Sequence, residues 1–312
     1  MKAVLIHQFG DPDVLRLESV AIPEPAAGGV LVRVYAVGIN PVDWQTRAGL
    51  GLAGLRDLPL ILGFDLSGEI AALGAGVTRF KVGDQVYGLP HFPEFARTYA
   101  EYAVAPESNL AFKPRNLSHV EAAAVPLAGL TALQALEVMK LQAGQTLLID
   151  GADGGVGHLA AQLAQAQGAR VIGTTSSANE GLVRVLGAVY FDRDIAPFEG
   201  RLEPVDAALD TLGGGRLAQS IAVVKSGGLL VSVTEDVPIH IRQRHPDIRT
   251  ERIRVRPSGP QLEQLASLIE DGQLRSIIRA VFPLEEVVQA HRLGQQPDVA
   301  GQIVLEVRAR PP

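Results

Sequence analysis

One segment of the chain constrains its fold more than any other. Residues 147–164 run from an apolar strand, LLID, through the glycine-rich turn GADGGVG into an amphipathic helix. Glycines in such a turn let the backbone bend tightly and approach a phosphate, whose charge is stabilised by free N–H groups and by the dipole of the helix N-terminus. Against the pattern G-x-G-x-x-G, the turn has Ala152, Gly154 and Gly157. The segment predicts a dinucleotide pyrophosphate site, and an ordinary strand-to-helix turn is the alternative.

The residues that follow this turn show the order of a βαβ unit. Residues 171–175 are a second buried strand directly after the helix, as such a unit requires. Later apolar strands at 189–191, 206–210 and 229–233 alternate with helices as far as Pro257. This alternation predicts an α/β fold with a doubly wound parallel sheet of the Rossmann type.

The chain on either side of this sheet has a different pattern. The first hundred residues contain short Val, Leu and Ile runs broken by Gly, Pro and Asp, which is typical of a β-rich domain. Residues 121–140 predict a long apolar helix that is interrupted near Pro126. The segment after Pro257 does not continue the Rossmann alternation, so we expect it to complete the first domain. The expected domains are therefore 1–120 with 259–312, and 121–258.

Composition excludes several classes of protein. With 312 residues, 47% of them hydrophobic, the chain can bury two cores of ordinary size. Its net charge is −6 and its charges are interleaved, which disfavours binding to nucleic acid or to an anionic membrane. The N-terminal residues 1–7 are typical of a first strand rather than a signal peptide, so we expect a cytoplasmic protein. The absence of cysteine excludes disulfides, thiolate nucleophiles and sulfur-ligated zinc.

The end of the second strand bears on which dinucleotide is preferred. Sites for NAD usually place Asp or Glu about twenty residues beyond the glycines, where the carboxylate binds the ribose hydroxyl. This chain has small neutral side chains there, at Thr175, Ser176, Ser177 and Asn179. Such donors can bind a 2′-phosphate without repelling it, which favours NADPH, although Glu180 is close by. Arg193 is the candidate positive partner, and a solvated surface charge is its alternative role.

Several separated motifs together indicate a family. They are GINPVD at 38–43, GFDLSG at 63–68, VGDQVY at 82–87, LAGLTA at 127–132, the glycine turn, DTLGG at 210–214 and GQIVL at 301–305. In this order and spacing the chain resembles, over essentially its whole length, the zinc-independent quinone oxidoreductase branch of the medium-chain dehydrogenase/reductase superfamily. The resemblance implies a GroES-like catalytic domain completed by the C-terminal segment, a Rossmann domain, and a cleft that holds the nicotinamide. It also implies a homodimer paired through edge strands, either residues 229–233 or a following strand.

The resemblance permits a test for zinc. Alcohol dehydrogenase relatives place cysteine where this chain has Asn40 and histidine where it has Phe64, and neither residue is a usual zinc ligand. Without a Lewis acid, oxidation of an alcohol through a metal-bound alkoxide is disfavoured. Hydride transfer to a quinone, or to the β-carbon of an unsaturated carbonyl, needs only positioning and a few hydrogen-bond donors. We expect NADPH-dependent quinone reduction, with enone or enoyl reduction and non-catalytic NADPH binding as the alternatives.

The same resemblance implies roles for individual residues. The pyrophosphate is assigned to the backbone of Gly154, Gly155, Val156 and Gly157, and the adenosine end to Thr175, Ser176, Ser177 and Asn179. Asn179 stands where relatives often have lysine. The nicotinamide amide is assigned to Ser232 and Thr234, which lie just past the carboxyl end of a strand. A plain strand-end turn is the alternative for that pair.

The catalytic and substrate roles are assigned to residues elsewhere in the chain. Asn40, Asp43 and Thr131 are expected near the nicotinamide and the substrate carbonyl, with Asn40 and Thr131 as oxyanion donors. The alternatives are a turn amide for Asn40, a carboxylate paired with Arg47 for Asp43, and a hydroxyl bonded to its own helix for Thr131. An apolar pocket for a flat substrate is assigned to Trp44, Phe64, Tyr87 and Phe92, for which core packing is the alternative.

Overall fold

The computed structural model describes residues 1–55, 57–195 and 197–308, which form two compact units. The first unit comprises the chain up to Leu130 together with the segment from Arg256 onward, and the second comprises Thr131–Val255. The fold class is the expected mixture of α and β structure. No helix in the described part of the chain is long and apolar enough to cross a bilayer.

The elements follow one another in a regular order. Up to the second unit they are β1 (Lys2–Ile6), β2 (Arg16–Ser19), β3 (Gly29–Ile39), α1 (Pro41–Arg47), β4 (Leu60–Ile61), β5 (Leu66–Leu73), β6 (Gln85–Gly88), β7 (Tyr102–Pro106), β8 (Leu110–Phe112), α2 (His119–Ala123) and α3 (Pro126–Met139). The second unit continues with β9 (Thr146–Asp150), α4 (Gly155–Ala166), β10 (Arg170–Thr175), α5 (Glu180–Val185), β11 (Val189–Asp192), β12 (Val205–Asp210), α6 (Arg216–Ala222), β13 (Val224–Ser232), α7 (Ile239–Arg242) and β14 (Arg249–Arg252). The chain closes with α8 (Gly259–Glu270), β15 (Ile278–Pro283), α9 (Val287–Gly294) and β16 (Gln302–Glu306).

The first unit is built on a largely antiparallel sheet. Its seven strands run in the order β15-β16-β3-β5-β6-β8, with β7 also paired to β3, and a smaller sheet has the order β2-β1-β4. The closing strand β16 pairs antiparallel with β3, placing Val304 opposite Gly38. The C-terminal segment therefore supplies two strands to the sheet that the N-terminal residues begin.

The second unit contains a six-stranded, wholly parallel sheet. Its order is β11-β10-β9-β12-β13-β14, so the order of the strands reverses between β9 and β12. Leu148 on β9, Ile172 on β10 and Leu230 on β13 are buried in one core cluster, as expected for strands covered on both faces. In such sheets ligands bind at the carboxyl ends of the strands near this reversal.

Two details differ from the sequence analysis or refine it. The strand at 229–233 is not an edge, because β13 lies between β12 and β14. The edge is β14, whose sequence RTER lacks the apolar alternation on which strand prediction depends. The long helix near Pro126 is divided, with α2 ending at Ala123 and α3 beginning at that proline, which a first-turn position tolerates.

Candidate active site

The glycine turn between β9 and α4 is packed too tightly for any other residue at its key position. A Cβ on Gly157 would lie 2.0 Å from the carbonyl oxygen of Gly151 and 2.8 Å from the Cα of Ala152. Gly151 itself has φ +87°, in the left-handed region. Gly154 caps the N-terminus of α4 and is partly exposed. Since the first N–H groups of a helix have no intrahelical partner, this turn fits the phosphates of a dinucleotide.

The end of β10 carries two buried hydroxyls that no group in the described part of the chain satisfies. Thr175 Oγ1 and Ser176 Oγ have no hydrogen-bond partner among the described residues, and the two side chains are 0% and 5% exposed. Buried hydroxyls are nearly always bonded, and an unsatisfied one costs about 1–3 kcal/mol. A polar ligand group at this point would satisfy both. Ser177, by contrast, is exposed.

Arg193 lies at the same strand end and is not a solvated surface charge. Its backbone N–H donates to the carbonyl of Thr175 at 2.9 Å, and its side chain is 16% exposed. Its Nη1 lies 3.9 Å from Oδ1 of Asp153, whose Oδ2 accepts a hydrogen bond from Asn179 at 2.8 Å. The structure thus brings Thr175, Asn179 and Arg193 together. Sequence reasoning did not assign Asp153 to the site. The signal that could have found it is a carboxylate at one of the x positions of the G-x-G-x-x-G pattern.

Ser232 and Thr234 lie together at the carboxyl end of β13 and share one acceptor. Their hydroxyls donate to Oδ2 of Asp210 at 2.9 Å and 3.3 Å, and the N–H of Gly213 donates to Oδ1 at 3.0 Å. Burial raises the pKa of Asp210. Ser232 Oγ also accepts hydrogen bonds from the backbone N–H groups of Thr234 at 3.2 Å and of Glu235 at 3.3 Å, so Thr234 Oγ1 is the hydroxyl oxygen of this pair that is left to accept from a ligand amide.

A second buried carboxylate stabilises the centre of the same sheet edge. Asp150, at the end of β9, pairs with Arg216 through Nε and Oδ2 at 3.0 Å, and accepts a hydrogen bond from Thr174. Arg216 also donates to the carbonyl of Arg193 at 3.2–3.3 Å. This ion pair fixes the chain segment on which Arg193 stands.

In the first unit, Asn40 and Asp43 belong to a buried polar cluster at the start of α1. Asp43 accepts hydrogen bonds from the N–H groups of Asn40 at 2.8 Å and of Gly63 at 3.1 Å. The side-chain amide of Asn40 donates to Asp65 at 2.7 Å, and the N–H of Leu127 donates to the other oxygen of Asp65 at 2.7 Å. Asp65 therefore orients Asn40 and also binds the start of α3, a role that sequence reasoning missed.

The pairing of Asp43 with Arg47, which the sequence left as an alternative, is not the arrangement observed. Arg47 donates to the carbonyl of Gly10 at 3.0 Å and to Gln295 at 3.1 Å, so its guanidinium is engaged elsewhere. Burial raises the pKa of Asp43 to about 8 and that of Asp65 to about 7. Thr131, the third assigned residue, is buried on α3 and belongs to the second unit.

The residues at the two zinc-ligand positions of the family do not fit a metal. The amide of Asn40 is bound to Asp65, and the fully buried Phe64 ring packs against Phe92 and Phe95 with ring centroids 5.4 Å and 6.0 Å apart. Neither supplies a charged or imidazole donor. Across residues 1–55, 57–195 and 197–308, no group of three His, Cys, Asp or Glu side chains is placed to hold a metal ion.

The four aromatic residues assigned to a substrate pocket have different environments. Trp44 and Phe92 are partly exposed, whereas Phe64 and Tyr87 are fully buried. The hydroxyl of Tyr87 donates to the carbonyl of Leu262 on α8 at 2.5 Å, and burial raises its pKa. Tyr87 therefore serves the core rather than a pocket wall, because its ring and its hydroxyl are both engaged. Phe64 packs edge-on against the ring of Phe92.

Comparison with known proteins agrees with this arrangement. Residues 26–115 match the family described as alcohol dehydrogenase GroES-like domain, and residues 186–305 match zinc-binding dehydrogenase. A 2-methylene-furan-3-one reductase of Solanum lycopersicum is 35% identical, over 98% of this chain and 79% of its own. The solved quinone oxidoreductase of Coxiella burnetii is 37% identical with TM-score 0.93 over 99% of both chains. A mycobacterial structure complexed with NADPH is 26% identical with TM-score 0.89, over 98% of this chain and 100% of its own.

These findings define the class of protein. The chain belongs to the zinc-independent quinone oxidoreductase branch of the medium-chain dehydrogenase/reductase superfamily. It is an oxidoreductase that uses a nicotinamide cofactor and a small-molecule substrate.

Proposed function

We propose that the protein catalyses NADPH-dependent reduction of quinones by hydride transfer without zinc. The observation that carries the proposal is the pair of buried hydroxyls of Thr175 and Ser176, which find no partner among the described residues. They lie beside Arg193, on the sheet edge that also holds the glycine turn. Hydroxyl and guanidinium donors are the groups that bind a phosphate. The structural neighbour complexed with NADPH and the solved quinone oxidoreductase support the same reading.

Within the second unit, the residues divide the cofactor between them. The backbone of Gly154, Gly155, Val156 and Gly157 binds the pyrophosphate, and the hydroxyls at the end of β10 bind the adenosine end. Asp210 holds Ser232 and Thr234 beside the nicotinamide amide, and Thr234 Oγ1 accepts a hydrogen bond from that amide. When bound, NADPH supplies the hydride.

In the first unit, Asn40 and Asp43 act at the acceptor. A carboxamide nitrogen carries two protons, and Asn40 donates one of them to Asp65, so the second is left to stabilise charge on the acceptor oxygen. Asp43 accepts a hydrogen bond from the backbone N–H of Asn40, and this bond keeps the side-chain amide of Asn40 in one orientation. In the same unit, the partly exposed rings of Trp44 and Phe92 bind a flat apolar substrate.

The proposal is tested with zinc removed. NADPH oxidation by an ortho-quinone should continue at an unchanged rate after prolonged dialysis against a chelator. Asn40→Ala should lower kcat for the quinone while leaving NADPH affinity unchanged. A rate that disappears with the chelator and returns with zinc would contradict the proposal.

A second candidate function is reduction of an α,β-unsaturated ketone or aldehyde. The similarity to a 2-methylene-furan-3-one reductase favours it, and the same hydroxyls and donors serve both reactions. The two are separable with NADPH deuterated at the transferred position. An enal product would carry deuterium at its β-carbon, whereas a hydroquinone receives its new hydrogens on oxygen and exchanges them with water.

The free edge of the parallel sheet suggests how two chains associate. Among the described strands, β14 pairs only with β13, so these strands leave one side of its backbone unpaired in a single chain. The proposed enzyme is a homodimer that continues the sheet through Arg249–Arg252 of each chain. Sedimentation equilibrium should give twice the chain mass, and Thr250→Pro, which removes one backbone donor, should shift the mass toward a single chain. A single-chain mass for the unaltered protein would contradict the dimer.

The remaining partners follow from the proposed reaction. The enzyme binds its cofactor and acceptor but neither nucleic acid nor membrane, because its acidic and basic residues are interleaved and its net charge is −6. Its proposed location is the cytoplasm, where NADPH is available to it. Cell fractionation with immunodetection tests the location.

A further inference from the structure

Asp153 is a carboxylate placed inside the candidate phosphate site. It lies in the glycine turn, is 3% exposed, and contacts Asn179 at 2.8 Å and the guanidinium of Arg193 at 3.9 Å. Both partners are residues that sequence reasoning assigned to the adenosine end of the cofactor. The charge of Asp153 therefore lies next to the residues assigned to the 2′-phosphate.

We propose that Asp153 is a specificity-determining residue that lowers the preference for NADPH over NADH. Its carboxylate neutralises Arg193 and holds Asn179, so both are already engaged when a cofactor arrives. The inference rests on the proposed function, because it concerns how that site discriminates between two forms of one cofactor.

The physical argument is electrostatic. A 2′-phosphate brings a charge of about −1.5 to −2 at neutral pH. At this site it would meet one guanidinium and one nearly buried carboxylate, and a buried charge is poorly screened by salt. The 2′-hydroxyl of NADH, in contrast, can donate a hydrogen bond to a carboxylate, as it does in sites for NAD.

The opposite role would have a different consequence. If Asp153 served to hold Arg193 and Asn179 in position for the phosphate, then removing its charge would weaken NADPH binding. The two roles therefore predict opposite signs for the same substitution.

The chain offers a matched control for this test. Asp194 also approaches Arg193, with Oδ1 at 4.0 Å from Nε, but its side chain is 70% exposed. Asp153→Asn and Asp194→Asn each remove one negative charge from beside Arg193. The charge removed is buried in the first variant and exposed to solvent in the second. Asn at position 153 still offers an oxygen to Asn179.

The experiment measures affinity by titration calorimetry for 2′,5′-ADP and for 5′-AMP, which differ by the 2′-phosphate alone. Asp153→Asn should raise the ratio of the two affinities by about tenfold, whereas Asp194→Asn should change it by less than about twofold. Adding Arg193→Gln to Asp153→Asn should cancel the gain. The ratio of the affinities for NADPH and NADH, measured by fluorescence, should change among the variants in the same direction.

An unchanged or lowered ratio in Asp153→Asn would overturn the inference. If that variant does not fold, as judged by circular dichroism, Asp153→Ser gives the same test with a smaller side chain. Failure of the proposed cofactor site has a different signature, since the unaltered protein would then bind neither nucleotide, and failure of quinone reduction appears in the turnover assay and leaves both affinities unchanged. Binding of both nucleotides with an unchanged ratio would refute the role of Asp153 alone.

Discussion

Replacing Thr175 by valine should have opposite effects on stability and on cofactor binding. Thr175 Oγ1 is fully buried and has no partner in the described part of the chain. Valine has nearly the same shape but carries no polar group. Because an unsatisfied buried hydroxyl costs about 1–3 kcal/mol, the variant should gain about 1 kcal/mol in the free energy of unfolding. For a unit the size of the second one, Thr131–Val255, this corresponds to a rise of about 4 °C in melting temperature.

The same substitution should weaken NADPH binding. A hydrogen bond to a charged group contributes about 1.5–3 kcal/mol, so its loss should raise the Kd for NADPH by about 10–100-fold. The assays are thermal unfolding of the ligand-free protein and fluorescence titration with NADPH. Stabilisation accompanied by weaker binding is the signature of a hydroxyl whose partner is the ligand.

Thr98 provides the control for this prediction. Its Oγ1 is also buried and unpartnered within the described residues, but it belongs to the first unit, whereas the glycine turn belongs to the second. Thr98→Val should raise the melting temperature without changing the affinity for NADPH. The reasoning would be refuted if Thr175→Val lowered the melting temperature and left the Kd unchanged.

Three further predictions test the site and its support. Gly157→Ala should abolish NADPH binding and lower the melting temperature, because its Cβ would lie 2.0 Å from the carbonyl oxygen of Gly151; normal titration with NADPH would count against the proposed turn. Burial raises the pKa of Asp43 from 3.8 to about 8, so the folded state retains a proton that the unfolded state loses, and stability should fall as pH rises from about 4 to 8. The melting temperature should change less with pH in this range for Asp43→Asn than for the unaltered protein. An equal pH dependence in the two proteins would contradict the assignment. Tyr87→Phe removes the bond to Leu262 and should cost about 1–2 kcal/mol in thermal unfolding with KM for the quinone unchanged, whereas a changed KM would place Tyr87 at the substrate.

The parts that sequence reasoning predicted well are those with local causes. The glycine turn is fixed by residues adjacent in the chain, since Gly157 packs against Gly151 only six positions away. The sequence could name the β14 edge only as an unspecified strand after residues 229–233, because the polar segment Arg249–Arg252 carries no apolar signal.

The parts that it missed depend on residues far apart in the chain. The partners of Asp153 lie at positions 179 and 193, and which of them contacts the carboxylate is decided by the packing of β10 and β11. Likewise, the pattern around Tyr87 could not show that its hydroxyl bonds a carbonyl 175 positions later.

The most direct test of the account is a comparison of NADPH and NADH oxidation with one ortho-quinone and one short enal, with zinc chelated throughout. The account predicts fast turnover of the quinone with NADPH and slower turnover with NADH. Turnover of the enal alone would assign the protein to the enone reductases. Binding of NADPH without oxidation by either acceptor would contradict the central claim that this site transfers hydride.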